Sequence, residues 1–175
     1  MEKFFSIFEE ITPRMLSLNC FSALDDDWMI VTAGKIDDFN LMTASWGTFG
    51  ILWDKPISVI FVRPTRYTFG FTERYPFYTL SFFNEEFKPI LQFCGSHSGR
   101  DTNKIKETGL IPLLTPQGNI TYEQASLVFE CKKLYADDLK KDHFLISTLE
   151  QTIYPKKDYH RFYIGEIIHI YQKKL

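Results

Sequence analysis

The stretch from His160 to Tyr171 constrains the fold more than any other part of the chain. One set of alternate residues is His160, Phe162, Ile164, Glu166, Ile168 and Ile170, and the other is Arg161, Tyr163, Gly165, Ile167, His169 and Tyr171. Successive side chains of a strand point to opposite faces, so a strand here is mostly apolar on both. Such a strand is expected to be central, flanked by other strands and covered on each side. The rest of the sequence must therefore supply neighbouring strands and a layer to shield the second face.

Candidate neighbours recur along the chain. Leu16 to Leu24 is apolar and reads as a strand, Asp25-Asp26-Asp27 as a turn, and Trp28 to Ala33 as the return strand, followed by a loop from Gly34 to Phe39. Ala44 to Gly50, Ile57 to Val62, Phe77 to Phe83 and Ser126 to Leu134 are further strands, the last with Leu127, Phe129 and Cys131 alternating against Val128, Glu130 and Lys132. Thr115 to Tyr122 is rich in turn-forming residues and reads as loop. Helical signals are fewer. Phe4, Phe5, Ile7, Phe8 and Ile11 predict an amphipathic helix ending before Pro13, and Arg66 to Arg74 a short one. Asn84 is placed to cap a helix running to about Cys94, and Ser98 with Asp101 has the form of a capping box for a helix ending at Gly109. A last helix is expected over Asp142–Glu150. Aromatic residues make up 17% of the chain, with Phe at 17 residues, and Phe and Tyr favour strands. The pattern predicts one mainly β domain over residues 1–175, a closed or nearly closed barrel with peripheral helices.

Several function classes find no support in the residues. A net charge of −2 lacks the basic excess of a nucleic-acid binder. Cys20, Cys94 and Cys131 form no CxxC pair, and His97, His143, His160 and His169 no metal-ligand spacing. There is no GxGxxG after a strand, no P-loop, no HExxH and no GxSxG elbow. The start Met-Glu-Lys-Phe-Phe lacks the regions of a secretory signal, and no apolar run approaches the roughly 20 residues that span a bilayer. A cytoplasmic protein without membrane or nucleic-acid partners is expected.

The chemistry concentrates between Asn40 and Thr68. A small, hydroxyl-bearing loop from Asn40 to Gly47 precedes the Ile57–Val62 strand, which Pro64 must end because it has no N–H for the ladder. Thr65 is placed to cap a helix starting at Arg66, and Arg66 and Thr68 then sit in its first turn. Free amides and a partial positive charge at a helix start suit a phosphate group. The start of the Ser98–Gly109 segment presents Arg100, with Lys104 one turn further along.

These residues, in order, resemble the flavin reductase-like family, which binds FMN in a split β-barrel. The resemblance rests on Asn40, Met42-Thr43-Ala44-Ser45-Trp46, Pro56, Arg63 with Arg66-Tyr67-Thr68, Ser98-Gly99-Arg100-Asp101 with Lys104, and His160 with Gly165-Glu166-Ile167. It implies that Asn40, Met42, Thr43, Ala44, Ser45 and Trp46 line a flavin site together with Arg63, Arg66, Tyr67 and Thr68. Ser98, Arg100 and Lys104 are implied to lie near it, with His160 beside the place where nicotinamide and flavin meet. Trp46 is the flat apolar neighbour a flavin ring needs, and the Thr43–Ser45 backbone and hydroxyls suit its polar edge. The family resemblance further implies a homodimer and an NAD(P)H-dependent flavin reductase that passes electrons to free flavin or to an electron-accepting protein. A flavoredoxin-like carrier without nicotinamide turnover, or a flavin-free interaction module, are the alternatives. The chain departs from the family in its single Pro56, where many relatives carry a Pro-Pro pair, and in a longer, polar Leu139–Asp158 segment, expected to be a lid or an interface arm.

Overall fold

The computed structural model describes residues 1–174. The chain opens with α1 (Glu2–Ile7) and β1 (Phe8–Ile11), then α2 (Cys20–Ser22), which runs into a π-helical turn at Ala23–Asp27. Next come β2 (Met29–Lys35), β3 (Asp38–Ala44), β4 (Gly47–Leu52), β5 (Lys55–Val62), α3 (Tyr67–Arg74) and β6 (Phe77–Phe82). The second half contains α4 (Lys88–Ser96), α5 (Lys104–Thr108), β7 (Pro112–Leu114), β8 (Ile120–Tyr122), β9 (Leu127–Asp138), α6 (Ser147–Ile153) and β10 (Arg161–Lys173). The fold is mainly β with peripheral helices.

Seven strands pair in the order β3-β2-β6-β9-β10-β5-β4, every neighbour antiparallel, and β1 adds to β10. The two ends of this path, β3 and β4, are consecutive in sequence, with only Ser45 and Trp46 between them. A flat sheet would hold its edge strands several strand spacings apart, each close to about 5 Å. A link this short forces the sheet to curl until its edges approach. The edges do not hydrogen-bond to each other, so the barrel is split along that seam.

The expectation for the last strand holds: β10 pairs with β9, β5 and β1. Its Gly165 lies where a Cβ would collide with the Tyr78 hydroxyl across the barrel, so only glycine fits that approach. Two apolar clusters cover the two faces. Val31, Ile60, Leu80, Phe129, Tyr163 and Ile167 fill the interior. Phe4, Phe8, Ile30, Leu91, Tyr122 and Tyr171 pack the outer face against α1, α4 and the β7–β8 hairpin.

Some expectations are corrected. The N-terminal helix stops at Ile7, and Phe8 and Ile11 are buried in β1, because edge pairing with β10 satisfies both their backbone and their side chains. Leu16–Leu24 is not a strand. Asn19 accepts from Phe21 N at 3.1 Å and caps a helical turn, while Leu16 and Leu18 from irregular backbone, and Leu24 from the π-helical turn, pack onto the core. Asp25–Asp27 lies in the π-helical turn. The loop expected from Asn40 is strand as far as Ala44, and β4 begins at Gly47. Thr115–Tyr122 ends in strand β8, paired with β7. The Asn84 side chain makes no cap bond. The Ser98 hydroxyl accepts from Arg100 N at 3.2 Å in a turn, and the helix proper starts at Lys104 under the Asn103 cap, ending as expected at Gly109 with φ 68°.

Candidate functional site

The seam between β3 and β4 opens beside the turn that ends β5. Two adjoining hollows lie there. The larger, about 400 Å³, is lined by Met42, Thr43, Ala44, Ser45, Trp46, Phe61, Arg63, Thr65, Arg66, Asp158 and His160. The smaller, about 120 Å³, is lined by Asn40, Met42, Tyr67, Thr68, Ser98, Gly99, Arg100 and Lys104 with Thr65, Arg66 and the end of α4. Met42, Thr65 and Arg66 belong to both. Every site residue singled out from the sequence lies on one of the two.

Their roles differ from the expectation in places. Arg66, not Thr65, occupies the cap position of α3, and neither supplies a capping side chain. The cap comes from another strand. Asn40, buried on β3, has its amide 2.7 Å from Thr68 Oγ1. With the amide oxygen turned to the helix it accepts from that hydroxyl, from Thr68 N at 3.3 Å and from Leu41 N at 3.3 Å. The Thr68 hydroxyl is therefore committed to Asn40, and the Thr43 hydroxyl donates to Leu91 O at 2.5 Å. What Thr43–Ser45 offers the larger hollow is chiefly backbone and the Ser45 hydroxyl. Gly99 permits the closure of the smaller hollow: a Cβ there would land on the Asn40 amide and against the Tyr67 ring.

The four cations of the groove are in four different states. Arg63 donates to Asp158 Oδ2 at 2.6 Å and to Ile153 O at 3.1 Å, and lies over the Tyr154 ring. It ties the segment before β10 to the barrel and is not free for a ligand. Lys104 is buried and donates to Leu41 O at 2.9 Å and Cys94 O at 2.8 Å, leaving one N–H. Burial brings its ammonium down to about 8, with Cys94 opposing and Arg66 adding to the fall. Arg100 is exposed, donates to Thr65 O at 3.1 Å and lies over the Tyr67 ring. Arg66 is partly buried, and its guanidinium takes part in no hydrogen bond or ion pair among the described residues. Desolvation, with Arg63 nearby, lowers its pKa.

At the other end of the groove the Trp46 ring, 46% exposed, lies 5.0 Å centroid to centroid from buried His160. His160 Nδ1 is 2.8 Å from the Tyr154 hydroxyl. Burial, followed by the charge of Arg63, pushes the imidazole down to about 4, so it is neutral at ordinary pH. Sequence reasoning missed Phe61, Tyr154 and Asp158. The run Tyr154-Pro-Lys-Lys-Asp158-Tyr-His160 carries no local pattern that announces a pocket wall.

A curled antiparallel sheet with a groove along its seam defines a split β-barrel. The family model for the flavin reductase like domain matches residues 22–174, and the chain belongs to the flavin reductase-like family. No curated protein matches it. Solved structures share the fold at low identity. An FMN-binding protein from Thermus thermophilus, with bound p-hydroxybenzaldehyde, is 20% identical with a TM-score of 0.66, over 83% of this chain and 71% of the other. Flavoredoxin from Methanosarcina acetivorans is 17% identical with a TM-score of 0.64, over 85% and 69%. The NADH:FAD oxidoreductase of Streptomyces globisporus C-1027 is 16% identical with a TM-score of 0.64, over 85% and 77%. At the level of the family, this is flavin-related oxidoreductase chemistry. No helix among the described residues is long and apolar enough to cross a membrane.

Proposed function

We propose that the chain binds FMN in the seam groove and uses it as an NAD(P)H-dependent flavin reductase. The observation that carries this is Arg66. A guanidinium that gives up part of its hydration and gains no protein partner is costly unless an anion completes it. The smaller hollow beside it, with the remaining Lys104 N–H and the Arg100 guanidinium, fits a phosphate. The larger hollow falls in the size range of small-molecule sites, roughly 300–1,000 Å³. It offers backbone polar groups along Thr43–Ser45 for a ring edge and Trp46 as a flat neighbour.

A bound flavin supplies the hydride chemistry, and NADH or NADPH the reducing equivalents. The chain's own residues bind and orient. Arg66 neutralises the phosphate, Asn40 and Gly99 hold the α3 turn in place, and Trp46 with Phe61 keeps water from the ring end. His160, neutral, contributes a polar contact and not a proton. The exposed apolar side chains on and after β4, Ile51, Leu52 and Trp53, support a homodimer, and the 1–175 chain is read as one cytoplasmic domain.

A second reading, an electron carrier without nicotinamide turnover, is favoured by the groove beside Trp46. This groove, about 740 Å³, is lined by Phe21, Leu24, Phe61, Phe144, Leu149 and Tyr154 among others, and its charged lining residues are Asp25 and Asp26. No cation there would receive the diphosphate of a dinucleotide. The test is steady-state oxidation of NADH and of NADPH by the FMN-loaded protein with added free flavin. Turnover with either nucleotide supports the reductase. A yellow protein that oxidises neither is the carrier, and a protein that retains no flavin and oxidises neither nucleotide ends both readings.

A further inference from the structure

His160 and Tyr154 make a pair whose proton can be placed from geometry alone. Tyr154 is buried, and the bond to His160 Nδ1 at 2.8 Å is the hydrogen bond its hydroxyl makes among the described residues. If Nδ1 carried the imidazole proton, the phenol oxygen would accept it, and the phenol's own proton would have no acceptor among the described residues. If the phenol donates to Nδ1, the buried phenol proton has its acceptor, and the imidazole proton sits on Nε2, free for a ligand. Nε2 has no protein partner among the described residues, yet it is not closed off from the surface, and His160 lines the larger hollow beside Trp46.

We propose that Tyr154 is a positioning residue whose hydroxyl holds His160 in the Nε2–H tautomer, so that the wall beside Trp46 presents a neutral N–H donor to a carbonyl-type acceptor on the bound ligand. The tautomer belongs to the chain itself. Only its use by a ligand rests on the flavin reading. The Arg63 guanidinium over the Tyr154 ring, at 5.2 Å from its centroid, and the Arg63–Asp158 pair fix Tyr154 in turn. The charged groups facing the imidazole are Arg63, Arg66 and Asp158, with the Trp46 and Phe61 rings on its other sides. The two arginines oppose a third positive charge more than Asp158 invites one, and burial acts in the same direction.

The experiment is long-range proton–nitrogen correlation on ¹⁵N-histidine-labelled protein without cofactor, with His160 assigned by loss of its signals in His160→Gln. The expected result is a protonated Nε2 and a bare Nδ1, with no titration between about pH 8 and about pH 5.5, where an ordinary histidine titrates. In Tyr154→Phe the donor to Nδ1 is gone, so both tautomers appear, while burial and the two arginines remain and keep the imidazole neutral across that range. A protonated Nδ1 in the unsubstituted protein, or an unchanged tautomer in a folded Tyr154→Phe, overturns the proposal. If Tyr154→Phe does not fold, the spectrum of the unsubstituted protein decides alone. A protein with the expected tautomer that binds no flavin removes the flavin reading and leaves the role of Tyr154 standing.

Discussion

Arg63 and Arg66 lie three residues apart in one turn, line the same hollow, and do opposite things. Arg63 is saturated: a carboxylate, a carbonyl and an aromatic face take up its guanidinium. Arg66 is unsatisfied, and its desolvation is uncompensated by any described protein group. Residue type and proximity to a pocket therefore do not identify a binding residue. The accounting of partners does. A cation whose donors are all used holds the wall of a site, and one whose donors are unused is available to a ligand.

The largest expected effect is on the saturated side. Arg63→Ala strips the ion pair from Asp158, whose side chain is only 15% exposed, and leaves its charge without a partner. Urea unfolding should show a loss of about 3 kcal/mol, and protease should cut the 139–158 segment faster. A stability within error of the parent would show that the wall is held by other contacts. Arg66→Ala should reverse the pattern. Stability should change by no more than about 0.5 kcal/mol, because no hydrogen bond or ion pair of the guanidinium is lost. FMN affinity should fall by about 2 kcal/mol, or roughly 30-fold, in a fluorescence titration. An unchanged dissociation constant would make Arg66 a solvated charge and erase the contrast.

The same contrast marks what could be read from the sequence. Trp28–Ala33, Ile57–Val62, Phe77–Phe83 and the last strand were legible because short runs dominated by apolar residues ended at Pro, Gly or polar turns. β1 was not, since Phe8 and Ile11 are three apart, a spacing that serves a helix or the two buried ends of a short strand. What decides between them is the free edge of β10, far away in the chain. Leu16–Leu24 failed because a single Asn19 cap diverts the backbone into a helical turn. In the site, the groove residues were legible through the order of motifs, but their partners were not. The cap of α3 comes from Asn40 on another strand, where a local rule selects Thr65. The partner of Arg63 is Asp158, in a polar stretch without periodicity.

Gly99 and Asn40 let the comparison be sharpened on the ligand side, where effects are smaller. Gly99→Ala places a Cβ against the Asn40 amide and the Tyr67 ring, an overpacking worth about 1–2 kcal/mol. Asn40→Ala removes the hydrogen bonds to Thr68 and Leu41, worth about 1 kcal/mol as a lost cap. If the methyl group introduced by Gly99→Ala acts by pushing Asn40 off Thr68, the two costs share one cause and cannot add. The double variant should then be more stable than the sum of the single losses predicts, by about 0.5–1 kcal/mol, in a double-mutant cycle read by thermal unfolding. Arg63→Ala, whose contacts involve neither residue, should add to both without coupling. Strict additivity of Gly99→Ala and Asn40→Ala would mean that Gly99 is required by the Tyr67 ring and that the cap of α3 stands independently of it.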